Sequence, residues 1–504
     1  MRQLSSPQEA AAWLHQNVSG VLHTDSRKIA AGDGFIAWPG AATDGRHYVA
    51  KSLAAGAAAV LVEHEGLAAF DFADACIASY AGLKAASGLI AAEYYVKPSG
   101  QLDVIAITGT NGKTSTAWWL AQTLNVLRSN SLLKSEHSTQ YSCGLVGTLG
   151  IGTPGNMVST GLTTPDPVML QSELARLREA AATACAMEAS SIGIAEHRMA
   201  GTQIRVAVFT NFTQDHLDYH QTMQAYWLAK RALFEWPNLQ AAVINIDDSK
   251  GQELVALCTQ RGLQVITASQ NSQTATLYAS PVVYVSQGMR FDVHQGSEKV
   301  SVSCPVVGDY NAANLLGVIG ALHALGLSLA DAARAIAQCT AVPGRMELIG
   351  GDNKPLAVVD YAHTPDALAK AVQALRPVSN TRGGKLWCVF GCGGNRDASK
   401  RPLMAQAAQA ADQIVVTSDN PRHEKAQDIT AQIMAGLTQP TKATLVLARA
   451  QAIAHAVSQA HASDVLLIAG KGHEDYQEIA GVKYPFSDRA EAQAALLHWQ
   501  EAVV

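Results

Sequence analysis

Residues 104–116, VIAITGTNGKTST, constrain the fold of this chain more than any other stretch. An apolar segment with β-branched Val104, Ile105 and Ile107 leads into Thr108-Gly109-Thr110-Asn111-Gly112-Lys113-Thr114. An Ala-, Trp- and Leu-rich helical pattern then covers 117–124. Strand, glycine loop, helix is the opening unit of a parallel α/β sheet. The glycines let the backbone curl so that its amides face an anion, and the helix N-terminus adds about half a positive charge. Lys113 reaches outer phosphates, and the Thr114 hydroxyl suits Mg²⁺. Ile107 stands where the usual loop has a glycine five positions before Gly112, so the motif is a shorter GTxGKT variant. A tight turn with an exposed lysine would use the same residues, but a strand before and a helix after is the context of phosphate binding.

With 504 residues the chain is too long for one hydrophobic core, and about three domains are expected. Apolar residues make up 48% and charged ones 16%, the balance of a well-buried globular protein. A net charge of −5 argues against a nucleic-acid footprint but leaves room for local anion sites. No run approaches the ~20 apolar residues of a membrane span, and MRQLSSPQEAAAWL lacks the apolar core of an export signal. Eight scattered cysteines with no C-x-x-C pair fit a reduced cytoplasmic compartment.

Three segments follow from punctuation. Residues 1–100 alternate short strands (34–38, 58–62) with Ala-rich helices and end in a linker, Lys97-Pro98-Ser99-Gly100. Thr24-Asp25-Ser26-Arg27 reads equally as an anion grip or as an Asx turn with a solvated arginine. Residues 101–340 carry the glycine loop, a polar Gly- and Ser-rich connection with a hairpin over 129–161, and a helix over 168–180 begun by Pro165 and Pro167. Strands at 184–188 and 206–209 end in Glu188-Ala189-Ser190-Ser191 and in the polar run 210–220. Ligands of open α/β sheets collect at strand carboxyl ends, so these clusters are expected to meet in one crevice. Asp247 and Asp248 read as a turn. Asn314 reads as the cap of a helix over 315–325. Pro343-Gly344 marks the next boundary. Residues 341–504 alternate strands (356–359, 385–390, 413–417, 443–447, 464–469) with amphipathic helices, which predicts a second, Rossmann-like parallel sheet. Gly391-Cys392-Gly393-Gly394 lacks the spacing of a dinucleotide loop, and no acidic residue ends the next strand.

Mg²⁺ favours oxygen ligands, which Thr114 and Glu188 offer beside a triphosphate. His216 stands between a metal ligand and a hydrogen-bonded core histidine. Lys230, from the residues alone, is a solvated helix lysine.

These motifs, together with Asn311-Ala312-Ala313-Asn314, Pro343-Gly344-Arg345-Met346-Glu347, Asp360-Tyr361-Ala362-His363-Thr364-Pro365 and Gly470-Lys471-Gly472-His473-Glu474, resemble the Mur ligases. These are ATP-dependent amino-acid-adding enzymes of peptidoglycan precursor synthesis, with roles in cell-wall biogenesis, cell shape and division. The resemblance runs over about 25–489. Within the family, the last two motifs are similar to members that add the third residue. It implies three α/β domains and an acyl phosphate formed from ATP on the glutamate carboxylate of a UDP-N-acetylmuramoyl dipeptide. Catalytic roles fall to Lys113, Glu188, His216 and Lys230. ATP is held by Gly109, Thr110, Asn111, Gly112, Lys113, Thr114, Asn314, Arg345 and Asp360, and Mg²⁺ by Thr114, Glu188, His216 and a carbamylated Lys230. Ser26, Thr163, Thr164, Ser190, Glu196 and Arg198 match muramoyl-substrate positions.

Arg396, Asp419, Asn420, Pro421, Arg422, Gly470 and Glu474 match amino-acid positions, and the Asp-Asn-Pro-Arg run resembles the signature for meso-diaminopimelate over lysine. A guanidinium can grip the extra carboxylate of diaminopimelate bidentately. The chain is expected to be monomeric. Relatives carry histidine at Ile192 and glutamine at Glu196, place side chains near the uracil at Ala41 and Ala42, and have a shorter 129–142. A lysine-adding ligase, a folylpolyglutamate-type ligase and a phosphate-loop switch or motor are the alternatives.

Overall fold

The computed structural model describes residues 1–40, 43–129, 141–285 and 288–500. Ala41, Ala42 and most of the expected connection at 129–142 lie outside them. Two compact units result, one of 1–278 with 313–335, the other of 279–312 with 336–504.

The first unit holds two sheets. A five-stranded parallel sheet runs in the order Arg2–Leu4, Ile77–Tyr80, Ala59–Glu63, Gly34–Ala37, Leu22–His23. Helices Pro7–Asn17 and Leu83–Tyr94 pack on it through Leu14, Ile90 and Ala91. The strands at 2–4, 22–23 and 77–80 are too short for a periodic pattern and were not legible. The second sheet places Asp103–Thr108 centrally, between Val206–Phe209 and Ala184–Glu188, all parallel. Val104 to Ile107 are fully buried, as expected of a parallel strand covered on both faces. The sheet continues through Ala241–Asn245 and Gln264–Ser269 on one side and Cys143–Gly147 on the other. An antiparallel meander, Gly150–Thr153 and Asn156–Val158, closes that edge and contains the expected hairpin.

Several sequence expectations change. The loop-bearing helix starts at Lys113 rather than at the first apolar residue. The segment expected as a linker is a 3₁₀ turn, Pro98–Gln101, with Pro98 and Ser99 buried. Asn314 does not cap a helix: it lies inside the helix Asp309–Ala324, because the polar Asn311 and Asn314 sit on the first turns of a longer helix. The turn at Asp247 and Asp248 is present, with Asp248 capping helix Ser249–Gln260. Pro167 opens helix Pro167–Glu179 behind an Asp166 cap.

In the second unit a six-stranded sheet has the order Glu347–Gly350, Leu356–Asp360, Val465–Ala469, Leu386–Phe390, Gln413–Val416, Ala443–Leu445. Only the first strand is antiparallel. Hairpins Gly288–Gln295 with Glu298–Cys304 and Tyr476–Ile479 with Val482–Pro485 add to this unit. Neither was expected from the sequence: the second is exposed and polar, whereas the first alternates buried Met289, Phe291 and Val293 with polar residues on its other face. Among the described residues no helix is long and apolar enough to cross a membrane.

Candidate active site

The loop between Thr108 and Lys113 is held by the end of the neighbouring strand. Thr110 N donates to Asn211 O at 2.8 Å, Asn111 N to Asn211 Oδ1 at 2.9 Å, and Thr210 Oγ1 to Asn111 O at 2.6 Å. Thr110 Oγ1 lies 3.2 Å from the Tyr226 hydroxyl. This packing leaves no room at the glycines. A Cβ on Gly109 would lie 1.9 Å from Thr210 Oγ1, and one on Gly112, with φ +84°, 2.2 Å from Asn314 Oδ1. Asn314 therefore does meet the loop, from inside its helix. Lys113 Nζ donates to Gly109 O and Thr110 O, both at 2.9 Å, folding back over the loop.

Beside the loop, Thr114 Oγ1 donates to Glu188 Oε2 at 2.9 Å. Glu188 is buried and accepts from Thr148 N at 2.8 Å. Thr148 Oγ1 is 3.0 Å from Thr163 Oγ1. Thr164 Oγ1 donates to Glu188 O at 2.8 Å and meets Ser190 Oγ at 3.0 Å, and Arg198 Nη1 donates to Thr164 O at 3.0 Å. Thus Thr114, Glu188, Thr163, Thr164, Ser190 and Arg198 form one contiguous network, the crevice expected from adjacent strand ends. Ser26 lies on the 3₁₀ turn Ser26–Lys28, where Asp25 accepts from Arg27 N and from the Arg27 guanidinium. The Asx-turn reading holds there, and Arg27 is already paired. Glu196 is neutralised in place by Lys84 Nζ at 2.5 Å and by the Tyr219 hydroxyl, whose donation holds its carboxyl below the ordinary range after that of Lys84.

Lys230 corrects the solvated-lysine reading. It is 1% exposed, its Nζ donates to Gly109 O at 2.7 Å, and it sits 4.5 Å from the centre of the Tyr226 ring. Burial, then the charge of Lys113, pushes its amine well below the ordinary lysine value. The apolar Trp227 and the aromatic Tyr226 on the same helix, Met223–Arg231, draw that face inward. The His216 ring lies 6.0 Å from the Tyr226 ring, with its Nε2 3.5 Å from Asp215. Burial lowers its imidazole below the ordinary value, which favours the neutral, ligating form.

In the second unit, polar residues end four adjacent parallel strands. The Asp360 carboxylate accepts from Met346 N and Ala362 N at 2.8 Å each, and burial raises its pKa. The Arg345 guanidinium lies 4.5 Å over the Tyr361 ring. Asn420 Nδ2 donates to Glu474 Oε2 at 2.8 Å. Arg422 Nη1 donates to Gly394 O at 2.9 Å and its Nε pairs with Glu478 at 3.3 Å, so two of its three nitrogens already have partners within the chain. Asp419 and Pro421 are buried, Gly470 adopts φ +122° over Asp419, and Arg396 is exposed.

Sequence reasoning missed Thr148, Tyr226 and Lys84. Thr148 was findable, since it follows the strand Cys143–Gly147 at a carboxyl end. Tyr226 stands four positions before Lys230 on one helix face, a spacing that could have paired them, whereas Lys84 carries no such signal. Among the described residues no three His, Cys, Asp or Glu side chains gather as a metal cage. The hydroxyl and carboxylate of Thr114 and Glu188 are nonetheless the oxygen donors that Mg²⁺ accepts alongside phosphate oxygens.

A glycine loop on a central parallel strand, closed by a helix N-terminus and flanked by a buried carboxylate, defines a nucleotide-binding α/β enzyme with a second α/β unit. Family models match in three pieces: the catalytic domain of the Mur ligase family over 20–88, the Mur ligase middle domain over 107–322, and the glutamate ligase domain over 344–472. A protein of Acidovorax sp. (strain JS42), named UDP-N-acetylmuramoyl-L-alanyl-D-glutamate–2,6-diaminopimelate ligase, is 55% identical over 98% of this chain and 97% of its own. A Pseudomonas aeruginosa protein of the same name is 45% identical, with 95% of each chain covered. A solved structure of that name aligns with TM-score 0.67 and 34% identity over 94% of each chain. A Mycobacterium tuberculosis folylpolyglutamate synthase shares the fold alone, at TM-score 0.59 and 18% identity over 77% of this chain and 92% of its own. The chain belongs to the Mur ligase family, the ATP-dependent amide ligases, and has their three-domain α/β fold.

Proposed function

We propose that this chain joins meso-diaminopimelate to UDP-N-acetylmuramoyl-L-alanyl-D-glutamate, with ATP consumed through an acyl phosphate, as a monomer in the cytoplasm. Full-length identity to ligases of that name carries the reading. Three domains, 1–100, 101–340 and 341–504, divide the work between muramoyl substrate, ATP and amino acid.

Lys113 and the loop amides stabilise charge on the transferring phosphoryl group, the effect that dominates such transfers. Asn314, Arg345 and Asp360 serve the rest of the nucleotide. Thr114 and Glu188 and, at a second position, His216 and a carbamylated Lys230 would hold Mg²⁺, which would supply charge neutralisation at the phosphates. Thr163, Thr164, Ser190 and Arg198 orient the dipeptide so that its glutamate carboxylate meets the phosphoryl group. The amine then attacks the acyl carbon and phosphate leaves. The buried, lowered Lys230 amine is the uncharged nucleophile that carbamylation by CO₂ requires. Glu196 belongs to the muramoyl surface with its charge offset by Lys84. Arg422, Asp419, Asn420, Pro421, Gly470, Arg396 and Glu474 receive the amino acid.

Omitting substrates one at a time tests the class. ADP release is expected only with ATP, muramoyl dipeptide and amino acid together, and release from ATP alone would support a switch or motor instead.

A further inference from the structure

Lys471 lies in the Gly470-Lys471-Gly472-His473-Glu474 run and has no role in the reading above. It is fully buried. Its Nζ donates to Asn420 Oδ1 at 3.0 Å and Glu474 Oε2 at 3.0 Å, and stands 3.6 Å from Asp419 Oδ1. Asn420 Oδ1 also accepts from Glu478 N at 2.9 Å. Two donors on that oxygen fix the amide, so its NH₂ must face Glu474, and it does. Both hydrogen bonds to Glu474 therefore fall on Oε2, leaving Oε1 for another donor.

Charge points the same way. Arg449 pairs with Asp488, both fully buried, and Arg422 pairs with Glu478. Among the described residues Lys471 is the ammonium within ion-pair distance of both Asp419 and Glu474, with Arg449 acting on the two at longer range while paired to Asp488. The surplus negative charge suits one further cation. Burying a carboxylate without an offsetting group is costly, so a ligand ammonium fits where a neutral or anionic group does not.

We propose that Lys471 is the positioning residue of the amino-acid site: it locks the Asn420 amide and the Glu474 carboxylate so that Glu474 Oε1 receives an ammonium of the incoming amino acid. The inference rests on the reading of this cluster as the amino-acid site. Lys471 acts through Glu474 and touches no reacting atom.

The test is a mutant cycle on the full chain, read by KM and kcat for each substrate. Lys471→Met is expected to raise the diaminopimelate KM at least 10-fold, with kcat at saturating amino acid and the KM values of ATP and muramoyl dipeptide within 3-fold. Because Lys471 works through Glu474, adding it to Glu474→Gln is expected to raise KM no further than Glu474→Gln alone. Multiplying losses, or parallel losses for all three substrates, would overturn the proposal. Should Lys471→Met not accumulate as folded protein, Lys471→Arg enters the same cycle. It keeps the charge with altered geometry, and an unchanged diaminopimelate KM there would equally overturn it. A parent enzyme that adds no amino acid refutes the functional reading. A parent that adds diaminopimelate while these variants behave like it refutes only the role of Lys471.

Discussion

Gly112→Ala probes the assignment of the glycine loop most sharply. The substitution adds one carbon at φ +84°, a conformation that costs an L-residue about 1–2 kcal/mol. The new Cβ would stand 2.2 Å from Asn314 Oδ1, and real Cβ contacts essentially never fall under 3.0 Å. Asn314 is buried on the helix Asp309–Ala324 and cannot withdraw freely. The loop must therefore yield by about 0.8 Å, a displacement of the order that costs ~100-fold in a positioned reaction. Phosphate-binding amides tolerate only about 0.5 Å of misplacement. Strain and steric relief together predict a loss of about 2–4 kcal/mol in unfolding free energy. They also predict a fall of ~100-fold in kcat/KM for ATP, while the amino-acid KM stays near that of the parent. Gly262→Ala is the control. It shares a positive φ of +71° but has nothing within 4 Å. It should lose only about 1 kcal/mol and keep full ATP kinetics. Coupled ADP-release assays and urea unfolding read both. A Gly112→Ala enzyme with ATP kinetics within 3-fold of the parent would refute the placement of phosphates on this loop.

Three further outcomes follow from named contacts. In the unfolded chain the Lys230 amine takes up a proton below about 10.4, whereas the folded chain holds it neutral to a lower pH, so stability falls as pH drops through that window. Lys230→Met removes this loss, about 1.4 kcal/mol per unit of lowering. Gly109 O keeps its bond from Lys113. The variant should match or exceed the parent's urea midpoint at pH 7 while losing ~100-fold or more in ligation, and a clearly lower midpoint would count against a buried neutral amine. Lys84→Met should change stability by under about 1 kcal/mol, since the bridge is half exposed. It should raise the muramoyl-dipeptide KM several-fold, and adding Glu196→Gln should restore it; failure to restore would show that charge is not the cause. Arg422→Ala should raise the diaminopimelate KM by roughly 10- to 100-fold with ATP unaffected, as loss of a charged contact worth about 1.5–3 kcal/mol requires; unchanged kinetics would remove Arg422 from specificity.

What is legible in the sequence is set by local chemistry. The glycine loop, its strand and its helix are specified within one short run, and strand-end clustering follows from parallel topology, so Glu188 and Thr114 were expected side by side. From the residues alone Lys230 read as solvated, because Gly109 and Lys113, which reach it from more than a hundred positions away, leave no local trace; its catalytic role came only from the family resemblance. The Lys84 to Glu196 pair joins residues more than a hundred positions apart, and no spacing rule reaches that far. Asn314 was misplaced by the usual equation of asparagine with a cap, which failed because the helix begins earlier, at Asp309. Lys471 was visible in its motif, yet its burial, and hence its bonding, depends on Asn420 and Glu474 arriving from different strand ends.

ADP release with muramoyl dipeptide present and the amino acid varied decides whether this chain selects diaminopimelate. Turnover with meso-diaminopimelate is expected at a kcat/KM at least ~100-fold above that with L-lysine, about the value of one lost charge-assisted contact of ~3 kcal/mol. Equal use of lysine, or ADP release with no amino acid at all, would contradict it.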